Sequence, residues 1–85
     1  MQKSDIQKKI KDFLIARFEL DFGKDPDLND DTHLYDQGYI DSLESLVLLQ
    51  FLEKTFGLSI GTQDLMEDPI NTVHEMVDFV SKRKS

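Results

Sequence analysis

Eighty-five residues are enough for one small domain with a modest core and too few for a separate substrate domain. The chain has no cysteine, which excludes disulfides and thiolate metal sites, so packing must supply the stability. A formal net charge of −7 argues against nucleic acid or anionic membrane as a partner and favours partners with basic patches.

The N-terminal stretch lacks the uninterrupted apolar segment of a secretory signal, and no run approaches the length of a membrane span. A soluble, cytoplasmic protein is therefore expected. Ser4 with Gln7 three residues later reads as a capping box, and Asp5 adds negative charge to the first turn. Ile6, Ile10, Phe13, Leu14 and Phe18 then recur at helical spacing, with Lys8, Lys9, Lys11 and Asp12 mostly between them. This pattern predicts a first amphipathic helix ending between Leu20 and Gly23.

From Phe22 to Ile40 no period is sustained, and the stretch holds Gly23, Pro26, Gly38 and the acids Asp25, Asp27, Asp30, Asp31 and Asp36. It reads as a long loop, which in a small domain needs internal anchors. Leu28, Leu34, Tyr35, Tyr39 and Ile40 are the residues expected to drop into the core. Asp25 to Asp30, with Asp36 at the twelfth place, imitates the ligand spacing of a calcium-binding loop. Asp30 stands where that loop needs a turn-making Gly, Asp36 replaces its bidentate Glu, and Gly38 discourages a following helix. A solvated acidic loop is the preferred reading.

The stretch from Gly38 to Phe56 reads GYIDSLESLVLLQFLEKTF. Gly38 signals a turn, Asp41 and Ser42 are both good helix caps, and apolar residues continue for four turns. On a helical wheel Leu46, Leu48, Leu49, Leu52 and Phe56 share one arc, predicted to face the core. Leu43, Val47 and Phe51 share the opposite arc. The helix is either buried on all sides or offers a docking surface. At its tip, unpaired amides and the positive end of the helix dipole would suit a phosphate ester on the Ser42 hydroxyl. No His or Lys lies close enough in sequence to activate that hydroxyl as a nucleophile. Ser45, a turn inside, is expected to bond back to a carbonyl.

Gly57 should end this helix, and Leu58-Ser59-Ile60 forms a short apolar link. Thr62 to Met66 is expected to make a short helix capped by Thr62, burying Leu65 and Met66 before Pro69 stops it. Thr72 with Glu75 repeats the capping-box pattern ahead of a stripe of Val73, Met76, Val77 and Val80, with Phe79 at its edge. Lys82, Arg83 and Lys84 complement the dipole at the end of this last helix. No alternating pattern predicts a strand. The fold class expected is all-α: a small four-helix bundle, three main helices plus a short third one, with a long first loop, residues 1–85 forming a single domain. His33 and His74 are isolated, and neither a metal site nor an acid–base pair can be assembled, so an enzyme is not expected.

Gly38, Asp41, Ser42 and Leu43, followed in register by Leu46, Leu49, Leu52 and Phe56, resemble the attachment motif of phosphopantetheine-dependent carrier proteins, the acyl and peptidyl carrier family. The order of helices and the acidity extend the resemblance over essentially the whole chain. It implies that Ser42 carries 4′-phosphopantetheine, installed from coenzyme A by a phosphopantetheinyl transferase. It also implies that acyl or aminoacyl cargo rides as a thioester on the terminal thiol, loaded by a ligase and handed to downstream acyl-transfer enzymes. Asp41 would then be read by the transferase as well as capping the helix. Leu43 and Val47, beside Ser42, would be partner-docking residues. Two features depart from fatty-acid carriers. Gly38-Tyr39-Ile40-Asp41 has two residues between Gly and Asp where those carriers usually have one, and Val47 stands where they have an acid. The longer spacing is that of D-alanyl carriers and of many stand-alone carriers in specialised-metabolite pathways. Leu65 and Met76 fall near places where long-chain carriers often keep small residues, which favours short acyl or aminoacyl cargo. A monomer is expected. The rival reading is a small helical interaction module whose Asp41-Ser42 is only a cap and whose apolar arc binds one protein.

Overall fold

Four helices and no strand make up the described residues, 2–84, of the computed structural model. They are α1 (Lys3–Phe18), α2 (Ser42–Phe56), α3 (Thr62–Glu67) and α4 (Val73–Lys84). The long loop joins α1 to α2. Ile6, Ile10 and Leu14, one turn apart on α1, are fully buried and meet α4, whose Val73, Met76, Val77, Phe79 and Val80 are all buried. Leu48, Leu52 and Phe56 of α2 close the same core. Burying apolar side chains at these spacings is what holds a chain of this size together.

The start of α1 differs from the capping box expected of Ser4 and Gln7. The helix opens earlier, with Gln2 in the cap position and no side-chain cap bond, and the Gln7 amide turns instead to the Asp30 carboxylate. Asp30 is also paired with Lys11 at 2.8 Å, so the loop offers the Gln7 side-chain N–H a charged acceptor. α1 ends at Phe18, short of the expected Leu20 to Gly23, because Glu19 takes a left-handed φ of 59° and its N–H returns to the Ile15 carbonyl. That reversal sends Leu20 into the core.

The loop is anchored as its apolar residues predict. Leu28, Leu34 and Ile40 are buried, while Tyr35 and Tyr39 lie half-buried against them. Leu34 is its hydrogen-bonding hub: its N–H donates to the Asn71 carbonyl (3.0 Å), and its carbonyl accepts from Tyr39 (2.9 Å) and Ile40 (3.1 Å). The His74 N–H donates to the Asp30 carbonyl at 2.9 Å, so the loop is tied at two points to the entry of α4. That entry carries the predicted box, with Glu75 N–H to the Thr72 hydroxyl at 3.0 Å and Thr72 N–H to the Glu75 carboxylate at 3.1 Å.

Two expectations about the middle of the chain are corrected. Leu46, assigned to the core arc, is 56 % exposed, whereas Phe51, assigned to the opposite arc, is half-buried and stacked on Phe13. The aromatic ring from α1 covers the Phe51 side, so the buried face of α2 is rotated away from Leu46. In α3, Gly61 and not Thr62 is the cap, its N–H held by the Asp64 carboxylate at 2.9 Å, and Met66 is 79 % exposed instead of buried. Six residues make too little helix to bury both Leu65 and Met66, and only Leu65 is half-buried. Ion pairs hold α3 instead: Arg83 reaches Asp64 at 3.3 Å and Asp68 at 3.6 Å while its guanidinium lies 3.6 Å from the Phe79 ring centroid. No described helix is long and apolar enough to cross a membrane.

Candidate functional site

The candidate site is the tip of α2, and the loop builds it. A turn over His33 to Gly38 closes with Gln37 N–H to the His33 carbonyl (3.0 Å) and Gly38 N–H to the Tyr35 carbonyl (3.1 Å). Gly38 leaves the turn at φ +80°, a conformation other residues adopt only with strain. Tyr39 and Ile40 then hang from the Leu34 carbonyl, Ile40 buried and the Tyr39 hydroxyl donating to Asp25 at 2.7 Å. That bond to a carboxylate, with burial and the neighbouring acids, pushes the Tyr39 phenol up to about 12.

Asp41 follows in extended conformation as the N-cap. Its carboxylate accepts the Glu44 N–H at 2.8 Å, the Glu44 carboxylate accepts the Asp41 N–H at 3.1 Å, and the Asp41 carbonyl accepts the Ser45 N–H at 2.9 Å. The Asp41-x-x-Glu44 spacing announces this reciprocal box, yet Glu44 is absent from the residues singled out by sequence. Ser45 behaves as expected, its hydroxyl donating to the Ser42 carbonyl at 2.6 Å.

Ser42 is thus the first residue of the helix, not its cap, and it is exposed. Among the described residues no hydrogen bond engages its hydroxyl, nor the backbone N–H of Ser42 or Leu43. A phosphodiester on the hydroxyl fits this tip: the residue is exposed, two unpaired amides adjoin it, and it lies at the positive end of the helix dipole. The carboxylates of the Ser42 turn are committed to the cap, Asp41 to the Glu44 N–H and Glu44 to the Asp41 N–H. His74 stands on α4 with Asp31 at 3.2 Å and Asp78 at 3.5 Å, and His33 Nδ1 accepts the Asp36 N–H at 3.1 Å within its own turn.

The two docking candidates differ in exposure: Leu43 is 74 % exposed and Val47 is half-buried. Leu46 and Met66 are also exposed apolar residues, Leu46 against the helical wheel and Met66 against the burial expected of the short third helix. Further along α2, a cleft of about 300 Å³ opens against α3 and the chain leading into α4, lined by Tyr35, Ser45, Leu49, Leu65, Pro69, Ile70 and Asn71. Of the two residues expected to restrict cargo, Leu65 forms its wall, while Met76 is fully buried in the core.

The calcium-type spacing is not realised as a common centre. Asp25 accepts from the Asp27 amide (2.9 Å) and Tyr39, whereas Asp30 faces Lys11 and Gln7. Among the described residues no group of three or more acids or histidines gathers to hold a metal.

The chain matches the family described as "Phosphopantetheine attachment site" over residues 12–80. It is 33% identical over 78 residues to a D-alanyl carrier protein of Lactobacillus delbrueckii subsp. bulgaricus, covering 92% of each chain. It is 30% identical over 79 residues to an acyl carrier protein of Buchnera aphidicola subsp. Acyrthosiphon pisum, covering 93% of this chain and 92% of that one. No solved structure matches it significantly. A family match across most of the sequence, with relatives similar over nearly their full length, leads to one conclusion: the chain belongs to the carrier proteins, non-catalytic proteins that bear 4′-phosphopantetheine.

Proposed function

We propose that this chain, one carrier domain over residues 1–85, bears 4′-phosphopantetheine on Ser42 and carries short acyl or aminoacyl groups. The observation that supports the serine assignment is its place: an exposed hydroxyl without a hydrogen bond at the first position of α2, beside two unpaired amides. In the modification, the Ser42 oxygen forms a bond to the pantetheine-bearing phosphorus of coenzyme A. The phosphoanhydride breaks and adenosine 3′,5′-bisphosphate leaves. The serine proton goes to a base of the transferase. Once attached, the arm supplies a thiol that holds cargo as a thioester.

Asp41 and Glu44 keep the tip rigid, and the apolar residues Leu43, Leu46 and Val47 of α2, with Met66 of α3, are the surface offered to the transferase, a loading ligase and downstream acyl-transfer enzymes. Encounters with these partners must be brief, so affinity is expected to be weak while the tether keeps the cargo locally concentrated. The net charge of −7 favours approach to basic surfaces. Short cargo is supported by Leu65 in the cleft wall and Met76 filling the core. An aminoacyl group is further supported by the similarity to a D-alanyl carrier protein and by the two residues between Gly38 and Asp41.

Intact-mass measurement after incubation with coenzyme A and a broad-specificity phosphopantetheinyl transferase tests the reading. The chain should gain one phosphopantetheine and Ser42→Ala none. A wild-type chain that stays unmodified would overturn the assignment.

A further inference from the structure

We infer that the hydrogen bond from Tyr39 to Asp25 is a strut that holds the tip of α2 in the position its modifying enzyme recognises, making Tyr39 and Asp25 positioning residues for Ser42. The inference rests on the reading of Ser42 as the attachment serine.

The segment that carries the tip has a soft point on its N-terminal side. Gly38 sits at φ +80°, and a Cβ placed on it would meet nothing within 4 Å, so its outer side is open and its hydrogen bond to the Tyr35 carbonyl, at 3.1 Å, is the restraint there. Beyond it, the N–H groups of Tyr39 and Ile40 converge on one acceptor, the Leu34 carbonyl, at 2.9 and 3.1 Å. Two bonds to a single atom hold the segment near one point and leave it free to pivot about that point. Ile40, 3 % exposed, adds an apolar anchor close to the same pivot.

The Tyr39 hydroxyl supplies a second, separate point. It crosses 14 residues of sequence to Asp25 at 2.7 Å, a short bond of the charge-assisted kind. Its far end is itself fixed. The other Asp25 oxygen accepts the Asp27 N–H at 2.9 Å, the Asp25 N–H donates to the Asp21 carbonyl at 3.1 Å, and the Asp25 carbonyl accepts from the buried Leu28 at 3.2 Å. The strut therefore joins a braced turn in the first half of the loop to the residue three places before Ser42. A second point of attachment removes the pivot, and the side chain at this first of the two residues between Gly38 and Asp41 is what reaches it.

A docking enzyme binds only the fraction of chains whose tip is correctly placed, so loosening the strut raises the apparent KM while the bound complex reacts as before. With the full apo chain, coenzyme A and a broad-specificity transferase, Tyr39→Phe and Asp25→Ala should raise the KM for the carrier by about threefold to tenfold and leave kcat within about twofold. Asp25→Asn has one carbonyl oxygen where Asp25 uses two, so it can accept from Tyr39 or from the Asp27 N–H but not from both, and its KM should fall between wild type and Asp25→Ala. Amide hydrogen exchange, which needs no transferase, should speed up at Glu44 and Ser45 in Tyr39→Phe and Asp25→Ala. A wild-type KM and wild-type exchange in Tyr39→Phe would overturn the strut. If the wild-type chain is not modified at all, the Ser42 reading fails, while the exchange pattern still decides whether the strut exists.

Discussion

Phe51 of α2 lies flat against Phe13 of α1, ring centroids 3.9 Å apart and planes 15° from parallel. Phe51 also meets Phe56 edge-on at 6.2 Å, and Phe13 meets Phe18 the same way at 5.7 Å, so α1 and α2 are joined by a run of rings. The contact limits the exposed apolar surface of α2. Phe51 shares a wheel arc with Leu43 and Val47, but α1 covers the lower end of that arc and leaves only the turns nearest Ser42 open. Phe51→Ala is therefore expected to cost about 2–3 kcal/mol in urea denaturation, somewhat less than a fully buried ring. Leu43→Ala, on the same arc, should stay within about 0.5 kcal/mol. Equal costs would mean that the arc is uniformly buried or uniformly exposed.

Leu46 carries a prediction of much smaller size than the one its spacing makes. A core leucine loses about 2–5 kcal/mol on truncation to alanine. At 56 % exposure, Leu46→Ala should lose under about 1 kcal/mol, and Met66→Ala, at 79 % exposure, still less. Both belong to the proposed docking face, so Leu46→Glu and Met66→Glu should weaken transferase binding while leaving the melting temperature nearly unchanged. An undiminished rate of modification in both would remove α3 and this side of α2 from the interface.

Much of the fold was legible in the sequence because its signals are local. Thr72 and Glu75 form the box their spacing implies, Gly57 ends α2 at φ +66°, and the anchors Leu28, Leu34 and Ile40 are buried. What failed was decided across the chain. Gln7 leaves its own helix for Asp30, and α2 is rotated by a ring from α1. α3 is held by Arg83, distant in sequence, more than by its own apolar residues. At the tip of α2, the cap at Asp41 was readable from its residue type, whereas the brace from Tyr39 to Asp25 depends on a loop path that no periodicity encodes.

Asp41 is the cap of α2 and is proposed also to be read by the transferase, and one pair of substitutions separates the two. Its carboxylate caps the helix by accepting the Glu44 N–H at 2.8 Å. Asp41→Ala should therefore cost about 1 kcal/mol, seen as a lower urea midpoint. Asp41→Asn keeps a side-chain acceptor and should retain most of that stability. If the transferase reads the charge itself, Asp41→Asn will still lower kcat/KM for modification. Wild-type kcat/KM in a stable Asp41→Asn would reduce Asp41 to a cap.

The pH limits of stability follow from carboxylates on α3 and α4 and from the tyrosines of the loop. Asp64 is held below its ordinary 3.8 chiefly by the Gly61 N–H and then by Arg83, and Asp78 chiefly by its bond from Lys3. Carboxyls depressed on folding stabilise above their unfolded values, and that contribution is lost as pH falls below about 4. Tyr39 is shifted the other way, from 10.0 to about 12, and Tyr35 is also raised, by burial. A phenol raised on folding stabilises while pH is below its unfolded value, and its contribution disappears between 10 and about 12. Ultraviolet titration should therefore show tyrosine ionising late. Tyr39→Phe should remove the component near 12, and Asp25→Asn should move that component toward 10, because a neutral acceptor no longer opposes the phenolate. A wild-type chain whose tyrosines all ionise near 10 would show that Asp25 does not hold the Tyr39 hydroxyl in solution, and the alkaline loss of stability would then have to arise elsewhere.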